Sequence, residues 1–396
     1  MIAGMTQRLS FLFIDFNSYF ASVEQQLQPH LRGRPVLVMP LASEHTCAIA
    51  ASYSAKAFGI KTGTPVWEAR QRCPGIVCVE ARPALYVEYH HRLCAEIERH
   101  IPIYKQESID EMSCRLDRSQ QQAESACALA QRIKQGIAAH VGEALTCSIG
   151  ISSNRFLAKV ATDLHKPDGL TLLPPAEVPS RLGHLPINEL PGIGSRMDLR
   201  IRARGIGTIG ELYRLSMREM RHLWGSVEGE KMWQRLQGFE LVEPPVVKRV
   251  VGHSHVLDPE WRPLERAETV ARRLLLKAAS RLRRYGMYAS AMELSARIEH
   301  GPRLTVSIRF VPACDNATLM QALGVGWGRL VPKCAYPSRV KKLSVQLHGL
   351  SDHRPSSLFA AQDRAAQWRQ QQEVVSRMMD RLNTHYGRDT ITLGAL

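Results

Sequence analysis

Three carboxylates stand out in this 396-residue chain. Asp15 ends the apolar run Phe11-Leu-Phe-Ile-Asp15, and Asp110 and Glu111 sit side by side in Ser108-Ile-Asp-Glu111. Aspartate is disfavoured within strands and a buried, unpaired carboxylate is costly, so Asp15 must either cap a helix or meet a cation. Taken together, the three form a hard-oxygen set of the kind Mg²⁺ takes alongside substrate phosphates. Two such ions about 4 Å apart can activate an attacking hydroxyl and stabilise a leaving phosphate, which needs no nucleophilic side chain. Tyr53, Lys56 and Lys166 supply a hydroxyl and two ammonium groups that could hold a triphosphate.

These side chains need elements to position them. Four consecutive large hydrophobes before Asp15 read as a fully buried strand, followed by a helix over 18–28. Residues 35–39 and 76–79 read as short strands, and 48–58 as an alanine-rich helix ended by Gly59. That helix places Tyr53 and Lys56 on one face. Helices are expected over 65–72, 84–99, 123–141 and 154–164. Strand arms should flank the Asp110-Glu111 step, with the strand 145–151 paired to that acidic hairpin and helices covering one sheet face. Adjacent strand residues point to opposite faces, so Asp110 and Glu111 serve one site only where the strand bends or ends.

Pro174-Pro175 opens a linker, short helices follow from 180 to 240, and Pro244-Pro245 opens another. Residues 248–350 return to strands around helices at 264–285 and 316–323, and a polar helix spans about 362–386.

Charge is unevenly divided. The net formal charge is +15; residues 1–180 carry 18 basic and 17 acidic side chains, whereas 181–350 carry 28 and 15. A near-neutral catalytic body joined to a basic half suits a polyanion partner. The basic residues are spread over several elements, no run of 18 apolar residues exists, and the N-terminus lacks a signal-peptide core. No membrane role is expected. Nine irregularly spaced cysteines with no Cys-x-x-Cys suggest reduced thiols in a cytoplasmic protein, with neither a disulfide framework nor a zinc site.

The motifs taken in order carry a resemblance. Ile14-Asp-Phe-Asn-Ser-Tyr-Phe-Ala-Ser-Val-Glu24, Ala51-Ser-Tyr-Ser-Ala-Lys-Ala-Phe-Gly59, Ser108-Ile-Asp-Glu111, Ser148 to Lys159 and Lys166-Pro-Asp-Gly169 resemble the Y-family translesion DNA polymerases of the DinB/UmuC group, over residues 9 to about 350. The resemblance implies an α+β multidomain fold. A palm with a mixed β-sheet and covering helices would span 9–24 and 77–172, small fingers 25–76, a helical helix-hairpin-helix thumb 176–243, an α/β little finger 248–350 and a C-terminal tail 351–396. It implies a template-directed polymerase, active in an SOS-type DNA-damage response, that adds deoxynucleotides to a primer 3′ end and copies damaged DNA.

Residue by residue, the resemblance implies that Asp15, Asp110 and Glu111, with the Phe16 carbonyl, hold two Mg²⁺ ions. Tyr53, Lys56 and Lys166 would contact the incoming triphosphate. Phe20 would pack on the sugar as the steric gate, and Tyr19 beside it would also contact the nucleotide. Lys56 stands where the family commonly has Arg, replacing a forked phosphate grip by a point charge. Leu190-Pro-Gly-Ile-Gly194 is the hairpin whose Gly192 and Gly194 bring backbone N–H groups to a DNA phosphate. Arg249, Arg339, Lys341 and Lys342 are the expected phosphate contacts of the little finger, while Arg281-Leu-Arg-Arg284 reads equally as a solvated helix face.

The segment 377–391 resembles the C-terminus of UmuC-type proteins. Ser356-Ser-Leu-Phe359 resembles a sliding-clamp peptide, with Leu358 and Phe359 as anchors and Pro355 where Gln is usual. Expected partners are primer-template DNA and deoxynucleoside triphosphates, with a sliding clamp, RecA filament or UmuD-like subunit open. The catalytic chain is expected to be monomeric. Two other readings stay open: an accessory protein that binds DNA and recruits repair partners without synthesis, and another two-metal enzyme such as a nucleotidyl cyclase.

Overall fold

A computed structural model describes residues 8–44, 46–242, 247–334, 338–353, 364–387 and 390–392. The chain divides into two compact units, Met1–Glu243 and Pro244–Leu396. The first opens with β1 (Phe11–Phe16), buried at all six positions, and α1 (Tyr19–Leu27). Then come β2 (Val36–Met39), β3 (Ala50–Ala51), α2 (Tyr53–Lys56), α3 (Val66–Arg72) and β4 (Val77–Glu80). These build a small sheet of order β3-β2-β4.

The helix expected over 48–58 shrinks to α2. The Ile49 N–H donates to the Val38 carbonyl, and Ala50 and Ala51 pair with β2, so sheet pairing overrides alanine's helix preference. Ser52 ends the strand and starts the helix, its hydroxyl accepting from the Ala55 N–H.

After α4 (Pro83–Glu98), the strands β5 (Ile103–Gln106) and β6 (Glu111–Arg115) bracket the acidic turn. Next follow α5 (Ala123–His140), β7 (Cys147–Ser152), α6 (Arg155–Leu164) and β8 (Leu170–Leu173). The main sheet has the order β5-β6-β1-β7-β8. Strand β7 therefore pairs with β1 and β8, not with the acidic hairpin as expected. Two-sided burial makes β1 the central strand, and it separates the two.

Both faces of this sheet are covered, against the expectation of one. Leu12, Ile14 and Phe16 join a core with Leu93, Ile97, Leu129 and Ile133 of α4 and α5. Phe11 and Phe13 pack on Ala158 of α6. Period-2 alternation puts Asp15 on the same face as Phe11 and Phe13, towards α6. Helix α6 lies close because position 150 is glycine: a Cβ there would come within 2.0 Å of the Ala158 carbonyl oxygen.

Five short helices complete the unit: α7 (Val178–Leu182), α8 (Ser195–Arg202), α9 (Ile209–Tyr213), α10 (Met217–Trp224) and α11 (Val227–Leu236). Ile187, Leu190, Ile201, Leu212 and Met220 form their core with Leu157 and Val160 of α6.

The second unit holds β9 (Val251–Val256), α12 (Leu264–Arg284), β10 (Ala289–Ile298), β11 (Arg303–Ala313), α13 (Asn316–Leu330), β12 (Val340–His348) and α14 (Arg364–Tyr386). Its antiparallel sheet has the order β11-β10-β12-β9. Leu275, Ala279 and Leu323 of α12 and α13 pack against Met292, Leu294 and Leu343. Arg283 faces inward, whereas Arg281 and Arg284 of the same run are exposed. It donates to Asp380 of α14 at 2.6 and 2.9 Å, to the Cys314 carbonyl at 2.7 Å and to Asn316 at 2.9 Å. This buried guanidinium ties α14 to α12 and α13. Among the described residues, no helix is long and apolar enough to cross a membrane.

Candidate active site

Asp15 and Glu111 face each other directly across the β1–β6 pair. Asp15 is only 6% exposed, and its charge is matched by lysines. The Lys159 ammonium, carried in from α6, bonds Asp15 Oδ2 and lies 2.9 Å from Glu111 Oε1. Lys166 lies 2.7 Å from the same Asp15 oxygen, and Asp163 pairs with both lysines. Two strand carboxylates thus converge on one cationic position. Burial alone would lower the ammonium pKa of Lys159 and Lys166; the surrounding carboxylates, Asp15 first, raise both instead.

Asp110 lies one residue before β6, in a turn where the Glu107 and Ser108 N–H groups both donate to the Glu111 carbonyl. Its own carbonyl accepts from the Phe16 N–H at 2.9 Å, setting the two backbones side by side. Its Oδ1 accepts from the Ser108 hydroxyl at 2.6 Å. The strand begins at Glu111, so the opposite-face rule does not separate the two acidic residues. Among the described residues, no three His, Cys, Asp or Glu side chains are grouped to hold a metal ion. Two of the three carboxylates share the Lys159 ammonium, a stand-in cation whose hard-oxygen surroundings fit Mg²⁺. The third, Asp110, is tied to β1 through its backbone carbonyl, and its carboxylate accepts from the Ser108 hydroxyl.

The triphosphate candidates gather at this end of the sheet. The Lys56 ammonium sits 4.2 Å from the centre of the Tyr53 ring. Burial pushes the Tyr53 hydroxyl up, against the opposing charge of Lys166 and a hydrogen bond with Asn17. Burial lowers the Lys56 ammonium, and the Lys166 charge adds to that. Tyr53, Lys56, Lys166, Asp15 and Asn17 therefore share one electrostatic neighbourhood.

Phe20 stacks on Tyr86, with ring centroids 4.5 Å apart. Tyr19 is 2% exposed and its hydroxyl donates to the Tyr86 carbonyl at 2.6 Å. It therefore belongs to the core under Phe20, and its hydroxyl is not free for a nucleotide. Asn17, to which the sequence assigned no role, accepts from the Asp168 N–H at 2.8 Å and donates to the Ser148 hydroxyl at 3.0 Å. It ties the end of β1 to the loop bearing Lys166.

Comparison with known proteins decides the family. The impB/mucB/samB family model matches residues 14–163, a DNA polymerase-iota thumb-domain model 188–240, and the impB/mucB/samB C-terminal domain model 248–358. A DNA polymerase IV of Moorella thermoacetica is 38% identical over 294 residues, 73% of each chain. The chain belongs to the Y-family DNA polymerases. It is a DNA-directed DNA polymerase of the DinB-like group. A DNA polymerase IV of Bacillus velezensis is 29% identical over 97% of this chain and 92% of its own. Among solved structures, a Y-family chimera of Dbh and Dpo4 shares the fold at a TM-score of 0.75 and 22% identity, covering 87% of this chain and all of that one. An insertion ternary complex of Dbh DNA polymerase matches at 0.57 and 25% identity, covering 86% and 98%.

The candidate DNA contacts of this Y-family polymerase divide by environment. Gly192 adopts φ +87° and Gly194 caps α8, and a Cβ at either would meet nothing within 4 Å, so this hairpin is open. At Gly205-Ile-Gly207 the backbone is already occupied: the Gly207 and Thr208 N–H groups donate to Glu211. Arg249, just before β9, is exposed, as are Lys341 and Lys342 of β12. Alternation sends the two lysines to opposite faces. Arg339 is engaged within its own unit, donating to Glu299 at 3.1 Å and to the Pro259 carbonyl at 2.6 Å.

Register adds residues that sequence reading missed. Arg297 of β10 pairs laterally with Arg303 of β11 and Lys342 of β12, a row of three cations across the sheet face that α12 and α13 leave uncovered. Like charges placed directly opposite one another oppose folding, and Glu293 on the same face of β10 offsets part of this row, lying 3.9 Å from Arg303. Alternation at 293, 295 and 297 carried a signal for it; the lateral alignment did not show in the sequence. Leu358 and Phe359 lie outside the described residues.

Proposed function

We propose that this Y-family polymerase copies damaged as well as intact DNA by two-metal phosphoryl transfer. The cationic position shared by Asp15 and Glu111 carries the proposal, supported by the Asp110 backbone alongside. Asp15, Asp110, Glu111 and the Phe16 carbonyl would hold two Mg²⁺ ions. When bound, these supply activation of a primer hydroxyl and neutralisation of the departing pyrophosphate. The remaining work falls to the chain's own side chains. Tyr53, Lys56 and Lys166 neutralise and orient the triphosphate. Phe20 closes on the sugar and leaves no room for a 2′-hydroxyl.

In this reading the five-stranded sheet with α4 to α6 is the palm (9–24 and 77–172), β2, β3, α2 and α3 are the fingers (25–76), whose small sheet takes in β4 from beyond that boundary, the short helices are the thumb (176–243) and residues 248–350 the little finger. Residues 351–396 form the tail. Primer-template DNA lies on the Gly192–Gly194 hairpin, Arg249 and the Arg303–Arg297–Lys342 row. Contacts of this kind grip backbone and not sequence, which suits a template of any base. Leu358 and Phe359 are proposed to engage a sliding clamp. A RecA filament or UmuD-like subunit would act on the tail of a monomeric catalytic chain in the cytoplasm during an SOS-type response.

Primer extension across an abasic site, with Mg²⁺ and purified chain, tests this. Extension to and beyond the lesion is expected. A wild-type chain that binds the primer-template and extends neither lesion nor intact template overturns the proposal.

A further inference from the structure

We infer that His90 is a positioning residue for the Asp110–Glu111 step, acting through the peptide that precedes Asp110. The inference rests on the proposed role of Asp110 as a metal ligand. His90 lies on α4, is 9% exposed, and holds its Nδ1 2.8 Å from the Ile109 carbonyl oxygen. A carbonyl only accepts, so Nδ1 carries the proton and donates. On the other edge of the ring, Nε2 lies 3.6 Å from Cys94 Sγ, one helical turn along. That sulfur accepts from Gln106 Nε2 of β5 at 3.6 Å. The ring is clamped between its own helix and the acidic turn.

The geometry makes this bond consequential, together with the one that the Asp110 N–H of the same peptide donates to the Ser108 hydroxyl at 3.3 Å. A peptide unit is planar, so holding the Ile109 carbonyl fixes the whole plane that joins Ile109 to Asp110. The next plane is fixed from β1, because the Asp110 carbonyl accepts from the Phe16 N–H at 2.9 Å. The φ and ψ of a residue are the rotations of its two flanking planes about Cα. With both planes held, the direction of the Asp110 Cα–Cβ bond is set before any ion arrives. Strand β1 also delivers Asp15, so one clamp references Asp110 to its partner carboxylate and His90 references it to the helical layer. Asp110 precedes β6, and ladder pairing of that strand does not by itself impose its position.

The experiment compares His90→Leu, which keeps apolar bulk but loses the donor, with His90→Asn, whose amide N–H sits near the Nδ1 position. Mn²⁺ bound by a stalled complex, with dideoxy-terminated primer-template and matching deoxynucleotide, is counted by electron paramagnetic resonance. Single-turnover incorporation is measured in parallel, and thermal unfolding reports folding. His90→Leu is expected to weaken Mn²⁺ binding by about 10-fold or more, the scale of lost outer-sphere support. Its kcat should fall with little change in KM for the nucleotide, and His90→Asn should recover most of both. His90→Gln, with its donor one bond further out, serves as the unrescued variant if His90→Leu does not fold. Wild-type Mn²⁺ binding in the folded unrescued variant, or equal impairment of it and His90→Asn, overturns the inference. Undiminished extension by Asp110→Asn would instead remove the metal-ligand reading on which it stands.

Discussion

Phe20 lies flat against Tyr86, the ring planes 16° from parallel and the centroids 4.5 Å apart. Tyr86 is braced behind. Its hydroxyl donates at 2.8 Å to Glu24, a fully buried carboxylate that also takes two bonds from Arg82 and one from Gln28. A stacked aromatic on a fixed partner can discriminate by shape because it cannot swing aside without losing the stack.

Phe20→Ala is therefore expected to raise ribonucleotide relative to deoxynucleotide incorporation by at least about tenfold, the scale on which pocket contacts separate substrates that differ by one group. Tyr86→Phe keeps the stack, leaves the ratio near wild type, and costs about 1–2 kcal/mol of stability because Glu24 loses a donor. Steady-state incorporation of both nucleotides and urea unfolding measure the two effects. An unchanged ratio in Phe20→Ala refutes the gate assignment.

Lys159 occupies the cationic position between Asp15 and Glu111, so it competes with a metal ion for the same oxygens. Lys159→Met should melt at a lower temperature than wild type without divalent ions, because two facing carboxylates lose a shared counter-charge. Added Mg²⁺ should then raise its melting temperature more than it raises that of wild type, by mass action on a site freed of its competitor. Equal rises in the two proteins would count against competition.

Acid stability offers a separate check on the helical layer. Glu96 on α4 is 4% exposed and accepts from His100 and His140, each at 3.1 Å, and from Arg99 at 3.0 Å. Burial alone pushes this carboxyl up, but the hydrogen bonds and the positive charges outweigh it and hold the group below its ordinary value. A carboxyl depressed on folding contributes stability that is fully present above its unfolded value, about 4.3, and disappears as pH falls through the folded value. Glu96→Gln should be less stable than wild type at pH 7, and the gap should close as pH falls below about 4. Urea unfolding from pH 7 to 3 reads this directly.

Salt dependence separates the basic residues. Arg297 and Lys342 sit in the open lateral row, whereas Arg339 is already paired with Glu299. Changing Arg297 or Lys342 to Ala should lower the slope of log affinity against log salt by about one each. Arg339→Ala should leave that slope alone and cost stability. Fluorescence anisotropy of a labelled primer-template over a salt series measures it.

Much of the site was legible because it obeys local rules. The apolar run before Asp15, the break of strand at Asp110, and the three-residue spacing of Tyr53 and Lys56 are properties of a few consecutive residues. What depends on distant partners was not legible. Ala50 and Ala51 went to β3 because β2 offered them hydrogen bonds, a tertiary fact. The central place of β1 put β7 on the far side of the acidic hairpin, and α6 covered the face where Lys159 meets Asp15. The Arg303–Arg297–Lys342 row required the register of three strands, and the inward turn of Arg283 required α14 as its partner.

The central claim is that Asp15, Asp110 and Glu111 together run the transfer of a nucleotide to a primer end. Single-nucleotide incorporation with Mg²⁺, comparing wild type with Asp110→Asn at matched duplex affinity, tests it most directly. Incorporation is expected from wild type and is expected to be abolished in Asp110→Asn, with primer-template binding nearly unchanged. Wild-type rates in Asp110→Asn would contradict it.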